Sequence, residues 1–350
     1  MKILFHLNSM GRGGAERVVS ILSKSFADRG DEVVVATQWY SENEYELGEK
    51  VRRISVGLTE EDEKQGRLKR AWIRLWRLRN CIKKESPDLV ISFCNKANFR
   101  SAFSLIGMKI PLLVSVRNDP KKDYAPYKLP TWLMEKKAAG CVFQTPDAQQ
   151  FFSRKLQEKS RIIFNPLSEK YLEKDAKEET CIRKPEIVTV GRISCQKNQL
   201  LLFQAFADIE KAYPDYVLKI YGDVQDETIY EELQQFIKEK RLDKKVFFMG
   251  TSDSLKEEIK DAALFVLPSD YEGMPNALIE AMVMGIPSVA TDCPCGGSAM
   301  LMENKVSGML VPVGDKEALK EAKKIVEKVH PQVVSREWGD YIETVMKNRR

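Results

Sequence analysis

Residues 271–280, YEGMPNALIE, set one carboxylate, Glu272, just before a Gly-Met-Pro-Asn turn and a second, Glu280, eight positions later. Helix-start chemistry explains part of this, because Pro275 suits a first helical position and an acid near a helix N-terminus favours the dipole. A capping box would need the second acid three residues after a polar cap, and neither Tyr271 nor Asn276 stands at that distance from Glu280. Carboxylates repel phosphates but accept hydrogen bonds from paired hydroxyls. With Pro275 in the first turn, Glu280 lies about five residues, roughly 7 Å, along the helix. The two acids then read as grips on hydroxyls at opposite ends of one ligand.

The groups between those ends should bind anions. In GRISCQKN, Arg192 and Lys197 lie on a loop from strand to helix, where both could reach a diphosphate, although a solvated pair of surface charges fits the spacing nearly as well. Backbone N–H groups of Gly273, Met274 and Asn276, with Pro275 among them, surround the second helix start. Near the N-terminus, SMGRGGAERV places Gly13 and Gly14 between a strand and a helix, so that the backbone can approach an anion or a sugar hydroxyl. A plain tight turn is the alternative. The dinucleotide fingerprint G-x-G-x-x-G is missing its last glycine, which is Glu16, and the nicotinamide reading loses most of its support. Polyols at each end and anions in the middle describe a nucleotide sugar.

Elements that position these loops follow from hydrophobic patterning. Short β-branched runs alternate with amphipathic segments, the pattern of α/β units with parallel sheets. The first series is KILFHLN, EVVVATQ, DLVISF, PLLVSV, CVFQT and RIIFN; the second is IVTV, YVLKIYG, KVFFMG, ALFVLPS and PSVATD. Between them EKDAKEETCIRKPE is charged, poor in large apolar residues, and reads as a linker. Two doubly wound, Rossmann-like domains facing a cleft are expected: residues 1–168 on the acceptor side, 169–334 on the nucleotide-sugar side, and 335–350 as a helix returning to the first domain. The loops GRGG, RNDP, GRISCQKN, SDYEGMPN and DCPCGG all follow strands, where such sheets bind ligands.

Composition limits the classes. At 350 residues, 43% hydrophobic and 31% charged, the chain is an ordinary globular protein of two-domain length. Its net charge of +5 is too diffuse to argue for nucleic acid but is compatible with anionic small substrates or a membrane surface. Seven scattered cysteines without a Cys-x-x-Cys pair point to a reducing compartment. The absence of a signal-type segment or a run of about 18 apolar residues leads to the expectation of a cytoplasmic protein, peripheral at most.

Taken together, Glu272 and Glu280, GR(x4)KN, GGAERV, FNP near Asn165 and TDCPCGG resemble the retaining glycosyltransferases of family 4, group 1 type, with the GT-B fold, and the resemblance spans essentially the whole chain. It implies that Arg192 and Lys197 hold the donor diphosphate, Glu280 the ribose hydroxyls and Glu272 the donor sugar. Gly273 to Asn276 would bind sugar hydroxyls, and Gly13 and Gly14 would lie by the diphosphate. It further implies a hexosyltransferase without metal or cofactor, uridine as the first nucleotide to test, a saccharide or lipid-linked saccharide acceptor, and attack on the sugar face that the leaving phosphate occupies. Many relatives carry a histidine after the fourth strand of the first domain. Here SVRNDP stands in that place, leaving Arg117, Asn118 or Asp119 to serve; members acting on amino sugars show the same variant.

His6, inside an apolar strand, reads as a core residue, His330 as a surface residue and Cys293–Cys295 as a loop element. Residues 66–84 read as a core-packed helix with Leu68, Ala71, Trp72, Leu75, Leu78 and Ile82 inward and Arg67, Arg70, Arg74 and Arg77 in solvent. The sharper alternative is a helix that docks on anionic lipid, as transfer to a lipid-linked acceptor would require. An epimerase or phosphorylase of the same fold, and a nucleotide-sugar-binding subunit without chemistry, are the competing functions. Turnover without acceptor or a need for free phosphate separates the enzymes, and retention of both glutamates and both cations argues against the subunit.

Overall fold

Runs such as EVVVAT are apolar without alternation, which suits strands covered on both faces of a parallel sheet. The computed structural model describes residues 1–171, 183–304 and 306–320. The chain divides into two compact units, Met1–Pro166 and Leu167–Arg350. Much of the charged linker stretch, His330 and the helix expected over 335–350 lie outside the described residues.

The first unit holds β1 (Lys2–Leu7), β2 (Glu32–Thr37), β3 (Val51–Ser55), β4 (Leu89–Phe93), β5 (Leu112–Ser115), β6 (Gly140–Phe143) and β7 (Ser160–Ile162). All pair in parallel in the order β3-β2-β1-β4-β5-β6-β7. The chain starts in the middle, winds out to β3, then crosses back beside β1. The carboxyl ends of β1 and β4 are therefore a switch point, where loops diverge and leave a crevice. Ile3, Phe5, Leu7, Val33, Val35, Ile91 and Phe93 form one core cluster under helix α1 (Gly14–Asp28). Helices α2 (Arg67–Glu85) and α3 (Asn95–Ser104) pack against each other. Edge strand β3, VRRIS, was not among the expected strands. It is short and carries two arginines, and Arg52 and Arg53 are held by Glu85 and Glu44.

The second unit repeats the plan with β8 (Lys184–Val190), β9 (Val217–Tyr221), β10 (Val246–Gly250), β11 (Ala262–Leu267), β12 (Ser288–Asp292) and β13 (Met309–Pro312), in the order β10-β9-β8-β11-β12-β13. Its switch point lies between β8 and β11. Alternate residues of β8 and β11 serve opposite faces: Ile187, Leu264 and Val266 pack with α4 (Gln199–Ala212), whereas Val188, Phe265 and Leu267 pack with α5 (Asn276–Val283). Each large side chain buried this way contributes roughly 1.5–3 kcal/mol, which holds the strand ends still enough to aim the loops.

Helix α2 corrects an expectation. Leu78 and Ile82 are buried, but Leu68 is 87% exposed and Trp72 61%, so the first half of the expected core stripe faces solvent. Arg74 and Arg77 are instead partly buried. The physical reason is polar anchoring: Arg77 donates to the Gly57 carbonyl and pairs with Asp62 at 2.5 Å, and Arg79 donates to the carbonyls of Ser104 and Ile106 at 2.7 and 2.8 Å. These bonds turn Arg77 and Arg79 inward, and Arg74, one turn before them, follows the rotation of the helix. Trp72 and Trp76 stack on each other outside, with ring centroids 6.2 Å apart.

Candidate active site

In the second unit two loops leave the switch point, residues 191–198 after β8 and 268–275 after β11. Polar bonds lace them together. Gln196 Nε2 donates to the Tyr271 carbonyl at 2.9 Å, the Asp270 amide donates to the Gln196 carbonyl at 3.0 Å, and Asn198 Nδ2 donates to Asp270 Oδ1 at 2.7 Å. Asn198 also caps α4, its Oδ1 accepting from the Leu201 amide. At the centre Lys197 Nζ meets Glu272 Oε1 at 2.5 Å, and Ser269 Oγ donates to the same oxygen at 2.7 Å. The expected division, Lys197 for phosphate and Glu272 for sugar, thus begins from a state in which the two neutralise each other. Arg192 is exposed, and its carbonyl accepts from Gln199 Nε2 at 2.9 Å.

Main-chain contacts fix the 268–275 loop from behind. The Glu272 amide donates to the Pro294 carbonyl at 2.8 Å, and the Cys295 amide returns a bond to the Glu272 carbonyl at 3.1 Å. Gly297 completes the support, because a Cβ there would lie 1.7 Å from the Gly273 carbonyl oxygen and only glycine permits that approach. Helix α5 starts at Asn276 with Pro275 as its cap, a correction to the placement of Pro275 within the first turn. Gly273, Met274 and Pro275 are buried, Asn276 is half-buried, and Glu280 is buried at 3% exposure, one turn into the helix.

In the first unit Gly14 opens α1 and Gly13 caps it. A Cβ on Gly13 would lie 2.2 Å from Glu16 Oε2, so the Glu16 carboxylate folds back over the helix start. After β5, Arg117 Nη1 donates to Ser115 Oγ at 3.3 Å, Nη2 donates to Asn165 Oδ1, and the guanidinium sits 5.3 Å from the Phe93 ring centroid. Burial pulls the Arg117 pKa down to about 10, opposed by the charges of Cys94 and Glu16. Gln144 Nε2 shares the Asn165 oxygen at 2.7 Å. Asn118 is half-buried beside Arg117, and Asp119 caps the following turn by accepting from the Lys121 amide at 2.9 Å. Burial, then the charge of Asp119, raises Asp123 to about 6. His6 is fully buried, its Nδ1–H donating to the Ala36 carbonyl at 3.0 Å; burial and the charge of Arg100 lower its pKa to about 3.

The family models for "Glycosyltransferase Family 4" and "Glycosyl transferases group 1" match residues 12–169 and 184–326, one on each unit. The chain belongs to the group 1, family 4 glycosyltransferases. It is 25% identical, over 93% of its length and 88% of the relative's, to a Campylobacter jejuni α-1,4-N-acetyl-D-galactosaminyltransferase that acts on a diphospho-undecaprenol-linked saccharide. A Salmonella typhimurium lipopolysaccharide 1,6-galactosyltransferase is 24% identical over 86% of this chain and 83% of its own. Among solved structures, Anabaena Alr3699/HepE with UDP and glucose superposes with a TM-score of 0.74 at 19% identity, covering 99% of this chain and 100% of that one. The fold is GT-B, and the activity class is glycosyl transfer.

In this glycosyltransferase the structure gathers Lys197, Glu272, Gly273, Met274, Pro275 and Asn276 around one switch point of the second sheet. Gly13, Gly14, Arg117 and Asn118 belong to the carboxyl edge of the first sheet. Gln196, Ser269, Asp270 and Gln144 were missed as site residues. Their only sequence signal was position, immediately after strands or beside a motif residue. Among the described residues no three His, Cys, Asp or Glu side chains group as metal ligands do, and no helix is long and apolar enough to cross a membrane.

Proposed function

We propose that this enzyme moves a hexose or N-acetylhexosamine from a UDP-sugar to a lipid-linked saccharide in surface-glycan synthesis, with retention of configuration and without a metal. The observation that carries the reading is the Lys197–Glu272 pair, held at the head of α5 by a hydrogen-bonded frame. A donor diphosphate draws Lys197 to itself, together with Arg192, and the helix dipole adds to the field. Glu272, released from Lys197, accepts hydrogen bonds from donor-sugar hydroxyls, while Glu280 accepts from the ribose. Backbone N–H groups of Gly273, Met274 and Asn276, around Pro275, bind the sugar, and Gly13 and Gly14 lie by the diphosphate.

The acceptor oxygen bonds to the anomeric carbon as the bond from that carbon to the diphosphate breaks. The leaving phosphate oxygen receives the electron pair and takes the acceptor's proton, so the attack comes from the face it leaves. Arg117 and Asn118 steady the departing charge, which makes positioning and electrostatics the source of rate. The diphospho-undecaprenol substrate of the Campylobacter relative and the UDP of the Anabaena structure support the choice of acceptor and donor. Leu68, Trp72 and Trp76, exposed on basic helix α2, support docking on an anionic membrane.

The test is a panel of nucleotide sugars scored by thermal stabilisation and by nucleotide release. UDP-sugars should stabilise at millimolar concentration or below, with Glu280→Ala weakening nucleotide binding and Glu272→Ala lowering mainly turnover. No stabilisation by any nucleotide sugar refutes the donor site, and equal loss of nucleotide affinity in both variants refutes the division of roles.

A further inference from the structure

Three neighbouring strands of the first sheet each deliver one residue to a single polar contact. Arg117 stands two positions past β5, Gln144 directly past β6 and Asn165 three past β7. Main-chain bonds fix their separation at the edge, because the Val116 amide donates to the Val142 carbonyl at 3.0 Å and the Ile163 amide to the Phe143 carbonyl at 2.9 Å. Thr145 caps the short helix Pro146–Gln150 by accepting from the Ala148 amide at 3.2 Å, which holds the backbone beside Gln144. Two donors then converge on one acceptor: Arg117 Nη2 and Gln144 Nε2, the latter at 2.7 Å, both meet Asn165 Oδ1.

Folding alone selects neither partner. Gln144 is 2% exposed and its Oε1 is buried without a hydrogen-bond partner, a cost that an apolar side chain of similar size avoids. A half-buried guanidinium is held most strongly by a carboxylate, through two parallel bonds. Arg117 is held instead by an amide oxygen and the Ser115 hydroxyl, and among the described residues it makes no ion pair within 4.0 Å. Glu16 acts on it as a nearby charge without a salt bridge.

The orphan oxygen and the neutral anchor account for each other. An asparagine amide carries an oxygen on one side and an NH2 on the other, so an unrestrained Asn165 could turn either toward Arg117. The Gln144 N–H keeps the oxygen in place, since a half-turn would set the Asn165 NH2 against two other donors. We infer that Gln144 and Asn165 are positioning residues for Arg117: Gln144 fixes the face of the Asn165 amide, and that amide aims the guanidinium while leaving its charge uncancelled for the departing diphosphate. This rests on the role proposed above for Arg117 and adds two residues that act through it.

The test reads turnover as UDP release from UDP-glucose and UDP-N-acetylgalactosamine, and reads aim separately from the Nε–H nuclear resonance of Arg117, identified by its loss in Arg117→Gln. Gln144→Leu should melt within about 2 °C of the wild type. It should nevertheless lose roughly ten-fold or more in kcat, with KM for the nucleotide sugar changed less than about two-fold, and the Arg117 signal should shift and broaden. Asn165→Asp keeps an acceptor for both donors but adds the opposite charge, so the signal should stay as sharp as in the wild type while kcat still falls by roughly ten-fold. An undisturbed Arg117 signal in Gln144→Leu overturns the aiming role, and wild-type kcat in Asn165→Asp overturns the need for a neutral anchor. Gln144→Met, unbranched like glutamine, makes the same test if the leucine variant does not fold. A wild type that releases no nucleotide sinks the donor reading instead, and the Arg117 signal in Gln144→Leu then upholds or overturns the aiming on its own.

Discussion

The carboxyl edges of the two sheets treat positive charge in opposite ways. In the second unit Lys197 is neutralised in place by Glu272, with Ser269 bracing the acid. In the first, Arg117 is held by the neutral side chains of Ser115 and Asn165. A paired cation must exchange partners when a ligand arrives, so its field is kept ready but masked. An unpaired one waits at the expense of stability and gains most from the ligand.

Removing each cation separates the two designs most sharply. Lys197→Ala leaves Glu272 buried beside Ser269 without its counter-ion. It should lower turnover by about a hundred-fold or more and destabilise the fold by up to about 3 kcal/mol, read from denaturant midpoints. Arg117→Gln should also lower turnover by at least about ten-fold, but with a stability change under about 1 kcal/mol, since no buried acid is orphaned. Equal destabilisation by the two substitutions would erase the contrast.

A smaller effect tests how strongly the first unit resists further positive charge. His6 has a folded pKa of about 3 against an ordinary value of 6.5, so between those values the unfolded chain binds the proton and the folded chain does not. Stability should be intact above pH 6.5 and fall as pH drops toward 3, at up to about 1.4 kcal/mol per pH unit from this residue. His6→Asn should flatten that slope in urea titrations at successive pH values; an unchanged slope assigns the acid sensitivity to other groups.

The smallest effect concerns Asp123, whose folded pKa is raised to about 6 from an ordinary 3.8. Its contribution is present below pH 3.8 and lost as pH rises through 6, the reverse of His6. Asp123→Asn should therefore stabilise the protein by on the order of 1 kcal/mol at pH 8 and leave it unchanged near pH 4. Thermal melts at the two values decide this, and a greater gain at pH 4 would contradict it.

Much of this was legible in the chain itself. Apolar runs such as EVVVAT and ALFVLP have no polar face, so a two-sided parallel sheet was their natural home. Loops after β8 and β11 were legible too, because cations, glycines and acids follow those runs directly. Strand β3 was not, since VRRIS owes its place to Glu85 and Glu44, distant residues that hold its arginines. Helix α2 misled for a related reason: hydrophobic period was read as burial, whereas polar anchors at Gly57, Asp62, Ser104 and Ile106 set its rotation. The Lys197–Glu272 pair joins residues 75 apart, and only the register of two loops brings them together.

The clasp between Gly273 and Gly297 has a bearing on how such enzymes diversify. Main-chain bonds and one glycine approach hold residues 268–275, together with the side chains of Ser269, Asp270 and Glu272, which leaves half-buried Tyr271 as the side chain there whose identity matters least to the path of the loop. Selection can then exchange the side chain of half-buried Tyr271 while the backbone around it stays where it was. The loop behaves as a fixed frame with one replaceable tooth, and laboratory libraries aimed at the proposed donor site belong at Tyr271, with Gly297 left untouched.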